Sequence, residues 1–332
     1  RGDIGLEHNL LILAFALLLD LFVGDPDWLW RRLAHPVVWF GRMIGLADHL
    51  ANRPGDSDAR QKRNGVVAIL LLLLVSALVG LFLSKIFLVL KFPGALLEIA
   101  LVAVLLAQKS LADHVSRVAS GLRQGGLPGG RQAVAMIVGR DPQSLDDGGI
   151  CRAAIESLAE NFSDGVVAPA FWYALFGLPG LLAYKMLNTA DSMIGHKNEK
   201  YGCFGWASAR LDDLVNWLPA RLSAVLLALS ALLRLGRPSA ARAFDVARRD
   251  AGLHRSPNAG WPESAMAGAL GLALAGERIY AGVSVREPML NSAGKRQATA
   301  GDIDRAIGVF YGACWMLVSL AIAVFLGLWL PG

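Results

Sequence analysis

The sequence is short of the features that many enzymes display openly. It has three cysteines in 332 residues, Cys151, Cys203 and Cys314, far apart and with no C-x-x-C pair. An odd count without metal spacing favours reduced thiols and a reducing compartment. The six histidines are scattered, which argues against a transition-metal site. G-x-x-x-x-G occurs at Gly125–Gly130, but Arg131-Gln132 follows where a phosphate loop needs Lys-Ser/Thr, so that reading is rejected. No H-E-x-x-H, G-x-S-x-G or G-x-G-x-x-G is present. Charge is also scarce, at 18% of residues, and basic residues form no aromatic-interleaved patch, which disfavours nucleic acid as a partner.

What is present is apolar. Hydrophobic residues make up 55% of the chain, and the mean hydropathy is +0.46. Val66–Ser84 gives 19 residues without a charge and Ala306–Leu330 gives 25; about 20 are needed to cross a bilayer core. The expected fold is therefore all-α, a polytopic helical membrane protein read as one integral membrane domain over 1–332. About four spans are expected, at 6–23, 66–90, 92–108 and 306–330. The first apolar run leads into GDPDW rather than a small-residue cleavage site, so it reads as a span and not a cleaved signal.

Between the third and fourth spans lies a core, 109–305, of cytoplasmic and broken helices. No proline interrupts Ala95–Leu122, so that helix is expected to continue beyond the membrane. Gly165–Ile194 is broken by Pro169 and by GLPG at Gly177–Gly180, which suggests a re-entrant hairpin. Leu222–Leu233 is judged too short to cross. Gly276–Arg305, polar and glycine-containing, reads as a mobile lid. Five segments between the spans hold 29 of the 32 Lys and Arg. By the positive-inside rule they face the cytoplasm, and the KFPG turn at Lys91–Gly94 faces the other side. Glu98, inside an apolar stretch, is expected to face protein rather than lipid.

Chemistry-bearing residues concentrate in Glu156–Arg221. Glu156, Glu160 and Asp164 are spaced i, i+4, i+8, which puts three carboxylates on one helical face. Lys185, Asn188, Asp191 and Ser192 form a second stripe; Arg210, Asp212, Asp213 and Asn216 form a third. Carboxylates and amides at these intervals are the oxygen donors that Mg²⁺ takes, alongside waters and substrate phosphates. Ion pairing to Arg152 and Arg210, or a solvated helix face, is the structural alternative. Two outlying stretches, GDPDW with His35-Pro36 and Arg42 downstream, and HRSPNAGWPES at His254–Ser264, are dense in turn formers and equally open to a binding role.

Several long motifs in order carry a resemblance. LLLDLFVGDPDWLWRRLAHPVVWFGRMI, VGRD with ESLAENFSDGVVAPAFWYALFGLPGLLAYKMLNTADSMIGHKNEKYGCFGWASARLDDLVNWLPARLSA, and SPNAGWPESAMAGALG closely resemble the CobD/CbiB family of membrane-bound adenosylcobinamide-phosphate synthases. The match runs from about Leu17 to about Trp315. The resemblance implies an ATP- and Mg²⁺-dependent ligation in cobalamin biosynthesis, in the bacterial inner membrane with active-site loops on the cytoplasmic side. The substrates implied are adenosylcobyric acid, a corrinoid, and (R)-1-amino-2-propanol O-phosphate or ethanolamine phosphate. Other membrane enzymes of cobalamin assembly and an oligomeric state are further partners it allows.

Such a ligation needs an activated carboxylate, a neutral amine and exclusion of water. Applied to the matching motifs, this assigns Mg²⁺–ATP to Glu156, Glu160, Asp164, Asp191, Asp212, Asp213 and Asn216. Lys185, Arg210 and Arg221 become phosphate contacts, and His196 or Glu263 the base. Asp25, His35, Arg42, Asn161, Asn188, Ser192, Asn198, Ser256 and Asn258 are further binding candidates. The corrin ring is expected against Trp172, Trp206 and Trp261. Two other readings stay open: a Mg²⁺-dependent prenyl or phospho-transferase built on Asn188–Asp191 and Asp212–Asn216, and a non-enzymatic corrinoid transporter or scaffold.

Overall fold

The computed structural model describes residues 4–24, 30, 32, 34–139, 141–276, 278–280, 283–285 and 287–329. Twelve α-helices are described: α1 (Ile4–Phe22), α2 (Pro36–Ala51), α3 (Asp58–Leu90), α4 (Phe92–Leu105), α5 (Gln108–Val134), α6 (Asp147–Phe162), α7 (Ala168–Ile194), α8 (Trp206–Val215), α9 (Trp217–Leu235), α10 (Arg237–Asp250), α11 (Gly260–Leu270) and α12 (Ala300–Trp329). A π-helical turn, Ser163–Val167, sits between α6 and α7. The described strands are short: Leu274–Ala275 pairs antiparallel with Met289–Leu290, and Arg278–Tyr280 with Val283–Val285. The chain is thus an all-α polytopic membrane protein.

Among the described residues six stretches are long and apolar enough to cross a membrane: Gly5–Phe22, Asp58–Leu90, Phe92–Val134, Asp147–Ile194, Trp217–Leu235 and Ala300–Trp329. Four of them overlap the expected spans at 6–23, 66–90, 92–108 and 306–330. The other two arise because helix geometry joins residues that a count of uncharged positions keeps apart. Leu222–Leu233, judged too short to cross, is corrected: it is part of the 19-residue α9, whose first turn carries Arg221 over the rings of Trp217 and Trp261, 4.2 and 4.7 Å from their centroids. The Gly276–Arg305 segment is no single polar loop: it contains three of the short strands and the start of α12, with Leu290, Ala298 and Ile303 buried.

Four helix corners use one device. Lys91, Gly126, Gly177 and Gly236 have φ of 55, 57, 62 and 88°, and each is followed two residues later by a proline. The positive φ ends one helix, and proline near the first turn of the next restarts it. At Gly180 the returning helix lies so close to the Trp172 carbonyl that a Cβ would clash at 2.5 Å. The break expected in 165–194 is therefore real. A further expectation is corrected. The Ala95–Leu122 helix does not continue: α4 stops at Leu105, Leu106 is extended at ψ 165°, and α5 begins at Gln108. Leu105, Leu106 and Gln108 are all buried, so packing and not proline sets this break.

The chain forms two compact units. The first comprises the residues up to Leu106, Ala168–Asn216 and those from Ala321; the second comprises Ala107–Val167 and Trp217–Leu320. In the first, α3 packs along α7 through Gly80, whose added Cβ would meet the Pro179 backbone at 2.6 Å. Glu98 faces protein as expected: it is buried, accepts from Tyr173 Oη at 2.8 Å, and lies 3.4 Å from His8 Nε2. In the second, α9, α10 and α11 meet through the buried alanines 228, 231, 243 and 269.

Candidate active site

In the first unit, α7 and α8 bring polar side chains into one corner. Tyr184, Asn188 and Asp191 follow at i, i+4, i+7, one face of α7. Asp212 and Asn216 stand one turn apart on α8 and its cap. Tyr184 Oη donates to Asn216 Oδ1 at 3.0 Å, and Asn216 Nδ2 donates to Asp212 Oδ2 at 2.9 Å. This relay fixes the orientation of the Asn216 amide. Asp212 Oδ1 is left buried with no hydrogen-bond partner in the protein. Burial first, then the nearby Asp191 carboxylate, push Asp212 up to about 7, against the pull of hydrogen bonds from Asn216 and Asn188. Asp213 is raised by burial, with Arg210 and Lys197 opposing; Arg210 Nη1 is 3.9 Å from its Oδ2.

The loop joining the two helices is held down by α2. Gly195 lies on the Asp191 carboxylate with no room for a Cβ, and its N–H donates to the Asp191 carbonyl at 2.8 Å. Lys200 Nζ reaches Asp48 Oδ2 at 2.8 Å, and Tyr201 Oη donates to the same oxygen at 3.2 Å. Behind Tyr184 is an apolar cavity of about 230 Å³ lined by Trp172, Phe176, Leu187 and Val215. Trp172 stacks on Phe176 at 5.8 Å and donates from Nε1 to the Val215 carbonyl.

In the second unit the HRSPNAGWPES motif is folded inward. Ser256 Oγ accepts from the amides of Asn258 and Ala259, and His254 Nδ1 accepts from Ser256 N–H at 3.0 Å. That leaves the ring proton on Nε2, 3.6 Å from Glu263 Oε1, with both side chains at most 4% exposed. Glu156, 3% exposed, accepts the Ala275 N–H on Oε1 at 2.8 Å. Glu160 is exposed and Asp164 half-buried within the π turn, so these three carboxylates do not share one environment.

The structure thus brings together Asn188, Asp191, Asp212, Asp213 and Asn216, with Arg210 on the rim, and separately Ser256, Asn258 and Glu263. Arg221 and Trp261 meet with the guanidinium over the indole ring. Lys185 is half-buried, and Ser192, His196 and Asn198 are exposed. Ser192 donates to the Asn188 carbonyl and Asn198 accepts from Tyr201 N–H. Asn161 donates to the Ser157 carbonyl. His35 caps α2 by accepting from Val37 N–H, and Arg42 lies 5.1 Å from the Trp39 centroid. Trp206 already carries Lys62 over its ring at 3.7 Å. Asp25 lies outside the described residues. Tyr184 and His254 were missed in the sequence. Tyr184 is one turn before Asn188 and His254 opens the motif, but only their contacts reveal a role.

These features define a class: a polytopic helical membrane protein with an oxygen-rich polar corner beside an apolar cavity. The comparison with known proteins narrows it. The family model for CobD/Cbib protein matches residues 13–310. Cobalamin biosynthesis protein CobD from a Sinorhizobium species is 65% identical over 96% of this chain and 98% of its own. The Brucella anthropi protein of that name is 54% identical over 96% and 97%, and the Rhodobacter capsulatus one 46% over 90% and 92%. No solved structure matches the chain. The chain belongs to the CobD/CbiB family.

Proposed function

We propose that this protein acts in cobalamin biosynthesis as an adenosylcobinamide-phosphate synthase. In this reading it joins the activated propionate of adenosylcobyric acid to the amine of (R)-1-amino-2-propanol O-phosphate, or a close analogue, with ATP and Mg²⁺. Family membership across residues 13–310 supports the pathway. The observation that carries the chemistry is Asp212 Oδ1, buried beside Asp191 without a protein partner. Two neighbouring, partly buried carboxylates resist ionising together unless a cation joins them.

Among the described residues no three His, Cys, Asp or Glu side chains converge on one point. Mg²⁺ does not require three, because one or two carboxylates with phosphate oxygens and waters suffice. The donor set is all oxygen, so it fits this ion. Asp212 and Asp191 would hold it, with Asn188 and Asn216 at the edge; when bound it would neutralise phosphate charge. Asn216, held by Tyr184, keeps Asp212 Oδ2 satisfied, while Oδ1 has no hydrogen-bond partner in the protein. Arg210 and Lys197 supply positive charge at the rim for phosphate oxygens. Glu263 and His254 suit a positioning role, since their contact is buried.

Purified protein given adenosylcobyric acid, aminopropanol phosphate, ATP and Mg²⁺ should yield a corrinoid heavier by the amine minus water. No such product with any amino-alcohol phosphate would overturn the reading. Asp212→Ala should lose turnover while the protein stays inserted and monodisperse.

A further inference from the structure

The corner between α2 and α3 holds a feature that ligation does not use. Met43, Leu46, Ala47 and Leu50 repeat at i, i+3, i+4, i+7 along α2. Asn64, Val67, Leu71 and Val75 form a matching stripe along α3. The two stripes face each other across an open notch of about 420 Å³, in which Asn64 is the one polar side chain among the described residues. Leu46, Leu50, Val67 and Leu71 each keep over half of their surface exposed.

The notch has a depth and a charged end. From Asn64 to Val75 α3 rises about 16 Å at 1.5 Å per residue, close to one leaflet, half of the roughly 30 Å hydrocarbon core. Arg60, one turn before Asn64, continues the stripe out of the apolar region, and Arg63, one turn before Val67, flanks it at the level of Asn64. They also line a polar cavity of about 520 Å³ with Gly55, Asp56, Ser57 and Ala59. Arg53 and Lys62 are exposed nearby in sequence, so the corner stays net positive although Asp56 pairs with Arg60 at 3.2 Å and Asp58 begins the helix.

We propose that this notch is a binding site for one anionic phospholipid of the surrounding bilayer. An acyl chain fills the gap between the stripes, and the phosphodiester headgroup meets Arg60 and Arg63. The charge at one end distinguishes this occupant from a neutral lipid, and the leaflet-length apolar wall distinguishes it from a free phosphate.

The test is native mass spectrometry of the full chain, delipidated in mild detergent and offered phosphatidylglycerol or phosphatidylcholine with identical chains. One phosphatidylglycerol per chain should be retained in preference to phosphatidylcholine. The exposed double variant Arg60→Gln/Arg63→Gln should lower that preference about 30-fold, at roughly fivefold per basic residue near a membrane surface. Ala47→Trp, which fills the notch, should lose both lipids. Inorganic phosphate alone should not compete. Equal retention of the two lipids by the wild type, or a double variant that keeps the preference, overturns the proposal; so does displacement by phosphate.

Discussion

Replacing Asp212 by Asn should make the protein more stable at high pH while removing its activity. Asp212 holds its proton up to about 7 in the folded chain, whereas an unfolded carboxyl releases it near pH 4. Between those values folding takes up a proton, so stability falls as pH rises through the window. The full penalty, reached above pH 7, is on the order of 4 kcal/mol at about 1.4 kcal/mol per unit. Asparagine carries no such charge and still accepts from Asn216 Nδ2. The gap between the Asp212→Asn variant and the wild type should therefore widen by about 2 kcal/mol from pH 5.5 to pH 8, or about 4 °C in Tm. Thermal unfolding in nanodiscs across that range, without divalent ions, measures it. Adding Mg²⁺ should narrow the gap by stabilising the wild type alone. A gap that stays flat with pH, or a variant less stable at pH 8, would refute the argument that Asp212 is a carboxylate held in a place that resists its charge.

Three more outcomes follow from single contacts. Glu156→Ala leaves the Ala275 N–H buried without its partner and should cost about 1–3 kcal/mol. Glu156→Gln keeps the acceptor, so it should cost less and leave the Mg²⁺ dependence of turnover unchanged; loss of that dependence would return Glu156 to the metal set. Gly80→Ala pushes a methyl into the Pro179 backbone and should destabilise by about 1–3 kcal/mol, seen as a lower melting temperature at every pH. Arg221→Lys gives up a planar cation that lies over both Trp217 and Trp261. It should change tryptophan fluorescence and cost about 1 kcal/mol.

Much of the polar corner was legible because helical spacing is local. Asn188 with Asp191, and Asp212 with Asn216, stand within a turn of each other, and each pair can be read off the chain. What spacing could not supply was the surroundings of each stripe. Glu156, Glu160 and Asp164 have the same periodicity, yet Glu156 is spent on a backbone amide 119 residues away and Glu160 is exposed. Tyr184 reads as one more apolar-context aromatic until its hydroxyl is seen on Asn216. Helix ends divide in the same way. Gly-x-Pro corners announce themselves through glycine's positive φ and proline's fixed one. The break at Leu106 has no such residue.

By itself the sequence determined that the chain is helical and membrane-bound, because uncharged runs of bilayer length have no other stable form in lipid. It also determined the family, through long motifs in order. Only the tertiary structure decided which polar groups satisfy one another and which keep an unused lone pair. The reason is that hydrogen bonding and desolvation depend on neighbours brought together from distant parts of the chain, and periodicity within one helix carries no record of them.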